Sequence, residues 1–209
     1  MKEKGRIRVL IADDHAIVRM GLSALLGAEP GFCIVGEAKN GCEAVHLALQ
    51  LQPDIVIMDL QMPQKDGTTA TAELHAELPA TKIIILTSFG TSDDISHALA
   101  AGASAALLKN EENAALIQAI HAVADDQRFL SPQVESLLKN EPPIPELSPR
   151  QREILESIAR GLTNADIAHQ LGISLASVKT HVLALFDKIG AANRSEAATI
   201  ALRRHLLKS

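Results

Sequence analysis

Five short, unbroken apolar runs punctuate the first two thirds of the chain: Val9-Leu10-Ile11-Ala12, Cys33-Ile34-Val35, Ile55-Val56-Ile57-Met58, Ile83-Ile84-Ile85-Leu86 and Ala105-Ala106-Leu107-Leu108. A strand with one wet face alternates apolar and polar residues. Runs without alternation suit strands covered on both faces. Between the runs, apolar positions recur at helical spacing, as in Val18-Leu22-Leu25-Leu26 and Ala44-Leu47-Ala48-Leu51. Strand and helix patterns in alternation predict βαβ units. Five of each within about 125 residues predict an α/β fold, a doubly wound five-stranded parallel sheet.

The pattern changes at Asn140-Glu141-Pro142-Pro143-Ile144-Pro145-Glu146. Three prolines in seven residues lock φ and remove donors, so neither a helix nor an inner strand continues through. This stretch predicts a semi-extended linker. Beyond it only helical patterns occur, each with a start signal. Ser148-Pro149-Arg150-Gln151 combines a capping Ser, Pro at the first helical position and Gln three residues on. Thr163 and Ser174 cap the next two helices, and Asn193 with Glu196 resembles a capping box before the last, which is expected to run to Leu207. The helix from Thr163 to Leu171, the turn Gly172-Ile173-Ser174 and the helix from Leu175 to Lys188 form a helix-turn-helix arrangement. On the second of these helices Val178, Val182, Leu185 and Ile189 make the buried stripe. The opposite face carries Ala176, Lys179, Thr180, Leu183 and Asp187, and would enter a major groove.

Composition narrows the class. Apolar residues make up 47% and charged residues 22%, ordinary values for a globular protein rather than a disordered or fibrous one. The longest stretch without a formal charge, Ile95 to Leu108, is 14 residues, short of the roughly 20 that a membrane span needs. No signal-peptide hydrophobic region follows the N-terminus. Cys33 and Cys42 have no ligand partners at zinc spacing and suggest no disulfide framework. A cytoplasmic protein without membrane partners is expected. The net charge of −5 divides unevenly: residues 1–141 carry 11 Lys and Arg against 19 Asp and Glu, residues 142–209 carry 9 against 6. A basic second half is compatible with nucleic acid, although on charge alone so small an excess favours a merely solvated surface.

Ligands of an open parallel sheet bind at the carboxyl ends of its strands. Asp13 and Asp14 follow the first predicted strand, Asp59 the third, Thr87 and Ser88 the fourth and Lys109 the fifth. Singly, each has a bland reading: an Asp after a strand commonly caps or turns, and a lone Lys is commonly surface. Jointly they converge on one rim. Crowded carboxylates repel, and a hard divalent cation with oxygen ligands, Mg²⁺, relieves that. A carboxylate in such a site can attack a phosphoryl group, with a Lys and a hydroxyl neutralising and orienting its oxygens. Asp59 is the central carboxylate and the candidate nucleophile.

The constellation Asp13-Asp14, Met58-Asp59-Leu60-Gln61-Met62-Pro63, Asp66-Gly67, Leu86-Thr87-Ser88 and Leu107-Leu108-Lys109 resembles the receiver domain of bacterial two-component response regulators, over roughly residues 6–125. The resemblance implies a flavodoxin-like sheet in which Asp59 is phosphorylated by a sensor histidine kinase. It implies that Asp14, Asp59, the Gln61 backbone carbonyl and Asp13, the last through water, hold Mg²⁺, and that Thr87 and Lys109 read the phosphate. Three positions depart from or tune the pattern. Ala106 stands where the family usually has an aromatic or His that swings inward on phosphorylation. Phe89 is bulky and would shield a phosphoaspartate from water. Gln61 cannot act as the general acid that an aspartyl-phosphate hydrolase commonly carries two residues after its nucleophile, which argues against an enzyme acting on an external substrate.

The second part resembles the LuxR-type DNA-binding domain almost end to end, through Leu147-Ser148-Pro149-Arg150-Gln151-Arg152-Glu153-Ile154-Leu155, Gly161-Leu162-Thr163-Asn164-Ala165-Asp166-Ile167-Ala168, Val178-Lys179-Thr180-His181-Val182 and Asn193-Arg194-Ser195-Glu196-Ala197-Ala198. Together the parts resemble the NarL/FixJ class: receiver at 1–126, linker helix and Pro-rich linker at 127–145, helix-turn-helix domain at 146–209. The implied function is phosphorylation-dependent dimerisation and sequence-specific binding to promoter DNA with inverted half-sites. Lys179, Thr180 and Leu183 are the candidate base contacts, Ser174, Ser177, Lys188 and Arg194 the candidate phosphate contacts. His181, one residue off the groove-facing row, reads as structural, and Arg194 could instead pair with a nearby carboxylate inside its own domain. The last helix is the implied dimer surface. Ala106 also motivates an alternative, a constitutive DNA-binding regulator whose receiver serves only to dimerise.

Overall fold

The structure is a computed structural model describing residues 5–88, 91–144, 147–204 and 206–207. It divides into two compact units between Pro142 and Pro143. In the first, strands and helices alternate: β1 Ile7–Ala12, α1 Ala16–Gly27, β2 Phe32–Ala38, α2 Gly41–Leu51, β3 Ile55–Met58, α3 Gly67–Glu77, β4 Lys82–Thr87, α4 Ser92–Ala100, β5 Ala105–Leu108, α5 Asn113–Ala124, β6 Phe129–Leu130 and α6 Pro132–Asn140. The sheet order is β2-β1-β3-β4-β5-β6, and every pairing is parallel.

Successive side chains of a strand point to opposite faces, and both faces here are covered. Leu10, Val56, Met58, Ile83, Ile85 and Ala106 join Ala44 and Ala48 of α2, Leu74 of α3 and Ile95 of α4 in one cluster. Val9, Ile11, Ile55, Ile57, Ile84 and Leu107 join Leu26 of α1 and Leu116, Ile120 and Val123 of α5 in the other. That is why the apolar runs do not alternate. Each fully buried Val, Leu or Ile contributes about 1.5–3 kcal/mol relative to exposure.

The sheet has six strands where the apolar runs predict five. Asp126, at φ 59, reverses the chain after α5, and Phe129 and Leu130 then pair with Ala105 and Ala106. Two residues carry no periodicity to detect. Ser131 next caps α6, its hydroxyl accepting from the Val134 N–H, with Pro132 at the start of the helix. Val134 is fully buried, and Leu137 and Leu138 pack against the cluster that contains Ala106. Most of the segment expected to be linker thus packs onto the first unit, through β6 and one face of α6.

The second unit contains α7 Pro149–Ala159, α8 Asn164–Leu171, α9 Leu175–Ile189 and α10 Arg194–Arg203. Complete capping boxes open α7 (Ser148 with Gln151) and α8 (Thr163 with Asp166), while Ser174 and Asn193 accept from the N–H groups of Ser177 and Glu196. Gly172 and Gly190, at φ 64 and 70, end α8 and α9 in the left-handed conformation, which glycine adopts without penalty. α10 ends at Arg203, short of the predicted Leu207. Ile154, Leu155, Ile167, Val178, Leu185, Ala197 and Ala201 form the core. Among the described residues no helix is long and apolar enough to cross a membrane.

Candidate functional site

The strand ladder of the first unit extends one residue past the strand ends and fixes the rim. The Asp13 N–H donates to Ala38 O at 3.0 Å, the Asp59 N–H to Ala12 O at 2.8 Å and the Lys109 N–H to Thr87 O at 2.8 Å. Asp13, Asp59 and Lys109 therefore leave their strands side by side. The Lys109 Nζ lies 2.5 Å from Asp13 Oδ2 and 2.6 Å from Asp59 Oδ2. The two carboxylates are 2% and 4% exposed, so the ammonium between them does not compete with bulk water.

Two buried carboxylates and one cation leave an excess negative charge. Burial pushes the Asp59 carboxyl above the usual carboxylate range and the Asp13 charge adds to this, while the Lys109 hydrogen bond and charge and the Gln61 N–H act the other way without cancelling it. Burial alone would lower the Lys109 ammonium; its hydrogen bonds to Asp13 and Asp59 outweigh that and hold it above an ordinary lysine.

Asp14 is exposed, with its Oδ1 2.6 Å from His15 Nδ1, and the His15 N–H donates to Asp13 Oδ1 at 2.9 Å. One ligand atom from each of Asp13, Asp14, His15 and Asp59 lies within 4.8 Å of the others. Oxygen donors carrying excess negative charge fit a hard divalent cation such as Mg²⁺. A second feature points to an anion: the Thr87 hydroxyl is completely buried and has no hydrogen-bond partner. An unsatisfied buried hydroxyl costs about 1–3 kcal/mol, which a ligand oxygen would recover. Of Gln61, the N–H faces the Asp59 carboxylate while the residue is exposed. Phe89 lies outside the described residues.

Two supports of this rim act through contacts that the sequence does not show. Arg19, one helical turn into α1, donates from Nη1 to Asp13 O at 2.8 Å and sits 3.4 Å from Glu37 Oε2. Gly67 starts α3 against the Asp59 backbone. Its N–H donates to Leu60 O at 2.9 Å, and a Cβ there would lie 2.0 Å from the Asp59 carbonyl oxygen. The obstructing atoms are backbone of Asp59 and Leu60, which has little room to give. Gly67→Ala is expected to cost on the order of 2–3 kcal/mol, read as a lower urea midpoint, and to displace Asp59.

In the second unit, Val178, Val182, Leu185 and Ile189 are buried along α9, and Ala176, Lys179, Thr180, Leu183 and Asp187 are exposed on its other side. Leu183 is 70% exposed. The Thr180 hydroxyl donates to Ala176 O at 3.1 Å, leaving its lone pairs for a partner. Ser174 and Ser177 are exposed at the start of the helix with hydroxyls 2.8 Å apart. Lys188 is half-buried and donates to Gln151 Oε1 at 3.4 Å. Arg194 donates to the Leu162 carbonyl, an internal tie to backbone. His181 is half-buried.

Residues 9–121 match the response regulator receiver domain family, and residues 145–201 match the bacterial regulatory proteins of the luxR family. The transcriptional regulatory protein LiaR of Bacillus subtilis (strain 168) is 40% identical over 209 residues, spanning 96% of this chain and 99% of LiaR. The oxygen regulatory protein NreC of Staphylococcus carnosus (strain TM300) is 34% identical over 96% of this chain and 99% of its own length. Among solved structures, the response regulator ChrA of a heme-sensing two-component system superposes with a TM-score of 0.59 at 38% identity, covering 97% of this chain and 100% of ChrA. A structure of two RcsB dimers bound to two parallel DNAs gives a TM-score of 0.72 at 26% identity, covering 95% of this chain and 98% of RcsB.

Proposed function

Since the chain belongs to the two-component response regulators that join a receiver domain to a LuxR-family DNA-binding domain, we propose that Asp59 is its phosphoacceptor and that phosphorylation promotes dimerisation on promoter DNA. A sensor histidine kinase is the donor. An Asp59 carboxylate oxygen attacks phosphorus, the bond from phosphorus to the histidine nitrogen breaks, and that nitrogen keeps the electron pair. Asp59, Asp14, the Gln61 carbonyl and Asp13 would hold Mg²⁺, which when bound would neutralise charge developing on the phosphoryl oxygens. Lys109 gives up its share of Asp59 and pairs with one phosphoryl oxygen; the Thr87 hydroxyl donates to another.

The observation that carries this reading is one ammonium shared by two buried carboxylates beside an unpartnered buried hydroxyl. The resting site is under-neutralised in one place and under-bonded in another, and a phosphoryl group with its cation relieves both. A switch moves only by the difference in affinity between its states, and those contacts supply the difference.

For output, Lys179, Thr180 and Leu183 of α9 would meet base edges, Lys179 at guanine acceptors and Leu183 at a thymine methyl. Ser174, Ser177, Lys188 and Arg194 would set position on the phosphates, with the last two already braced by Gln151 and Leu162. Two copies related by a two-fold axis, meeting through α10, would read inverted half-sites. The cytoplasm, where promoter DNA and kinase meet, is the place for this activity. Sedimentation with and without Mg²⁺ and beryllofluoride, a phosphoryl mimic, tests the switch: monomer becoming dimer is the expected result. A mass that does not change would favour the constitutive regulator, for which Ala106 is the specific ground.

A further inference from the structure

Ala106 carries no side-chain rotamer that could report the state of Thr87 or Lys109. Its surroundings are filled instead by the end of the unit. Its carbonyl accepts the Ser131 N–H at 3.2 Å, Leu130 pairs with it, and Val134 of α6 lies in the same cluster. β6 ends there, so Leu108, the last residue of β5, has no strand partner on that side. The Glu111 carboxylate takes the place of one. Its Oε1 accepts the Leu108 N–H at 2.9 Å and the Ser131 hydroxyl at 2.5 Å. The same Ser131 hydroxyl accepts the Val134 N–H at 3.2 Å and is the N-cap of α6. Ser131 is fully buried.

One carboxylate oxygen therefore joins the residue before Lys109 to the first turn of the helix that precedes the paired prolines. We propose that Glu111 is a positioning residue that couples the phosphoacceptor site to α6, through Leu108 on one side and the Ser131 cap on the other. The inference rests on the phosphoacceptor reading above. When Lys109 turns from Asp59 toward a phosphoryl oxygen, its backbone stays tied to Thr87 O, and the shift is taken up by the segment 108–111. Glu111 passes that shift to the cap of α6, from which the chain continues to the DNA-binding unit. Two sites communicate only through an element that both bias; here that element is α6.

The test is hydrogen exchange on the full chain, with and without Mg²⁺ and beryllofluoride, following peptides that cover 57–62 and 131–140. In the unaltered protein both peptides respond, and α6 exchange shifts by roughly 2- to 30-fold. In Glu111→Ala the 57–62 response persists while the α6 response is lost. Glu111→Gln keeps an acceptor oxygen and keeps the response. A purely structural Glu111 would loosen α6 equally in both states, and a beryllofluoride-induced difference in Glu111→Ala as large as in the unaltered protein would overturn the proposal. So would an α6 that never responds while 57–62 does. Silence of both peptides in the unaltered protein would instead overturn the phosphoacceptor reading itself.

Discussion

Asp59→Ala will take up no label from a small phosphoryl donor, and Asp59→Asn will unfold at a higher urea concentration than the unaltered protein when Mg²⁺ is absent. The first result follows from chemistry: no other carboxylate of the rim shares a buried position with both Lys109 and the Thr87 end of β4. The second follows from electrostatics. An acid whose folded pKa is raised binds its proton more tightly in the native state than in the unfolded one. Stability is therefore lost as pH rises from the ordinary carboxylate range through the folded value. Asn keeps the shape and one acceptor for Lys109 but removes that loss, so the gain is largest at neutral pH and disappears below the ordinary carboxylate range. Mg²⁺ reverses the order. A cation that binds only the native state adds about 2.7 kcal/mol at one hundred times its dissociation constant, and Asp59→Asn forfeits most of it. Labelling that continues in Asp59→Ala would remove Asp59 from the phosphoacceptor role.

Lys109→Ala acts in the opposite direction. It deletes the cation that two nearly inaccessible carboxylates share. Breaking a buried pair by removing one partner costs about 3–5 kcal/mol, a large part of the 5–15 kcal/mol that holds a typical domain together. The pH dependence identifies the cause. With the ammonium gone, the Asp59 carboxyl rises further above its unfolded value. The deficit is then present at neutral pH, shrinks as pH falls toward the ordinary carboxylate range and vanishes below it. Mg²⁺ restores stability at neutral pH without restoring switching. A loss independent of both pH and Mg²⁺ would mean that the lysine stem, and not its charge, supports the rim.

Most of the fold and the polar centre of the site are legible in the sequence because each leaves a local mark. Strands buried on both faces read as unbroken apolar runs. Asp13, Asp59, Thr87 and Lys109 follow such runs directly, and topology alone then brings them to one rim. The capping residues of the second unit announce its helices for the same reason. What is missed depends on distant partners. Arg19 matters through a bond to the Asp13 carbonyl and Glu111 through a hydroxyl 20 residues away; Gly67 is visible as a motif residue, but the approach of Asp59 that requires it is not. Arg194 meets a backbone carbonyl, which no residue type advertises. β6 is too short for any period, and with it goes the placement of α6. The Thr87 hydroxyl is legible as a residue, but its lack of a partner is a property of the packed interior.

The same β6 and α6 bear on how a chain of this kind can be recombined over evolutionary time. A seam cut after residue 126 would strip Leu130, Val134, Leu137 and Leu138 from the face over Ala106 and leave the β5 edge with unpaired backbone groups, an invitation to aggregate. A seam between the two prolines severs no strand pairing and no core. The piece that can be exchanged for another input module is therefore residues 1–142, and an output domain grafted at an earlier junction would inherit a receiver with an open flank.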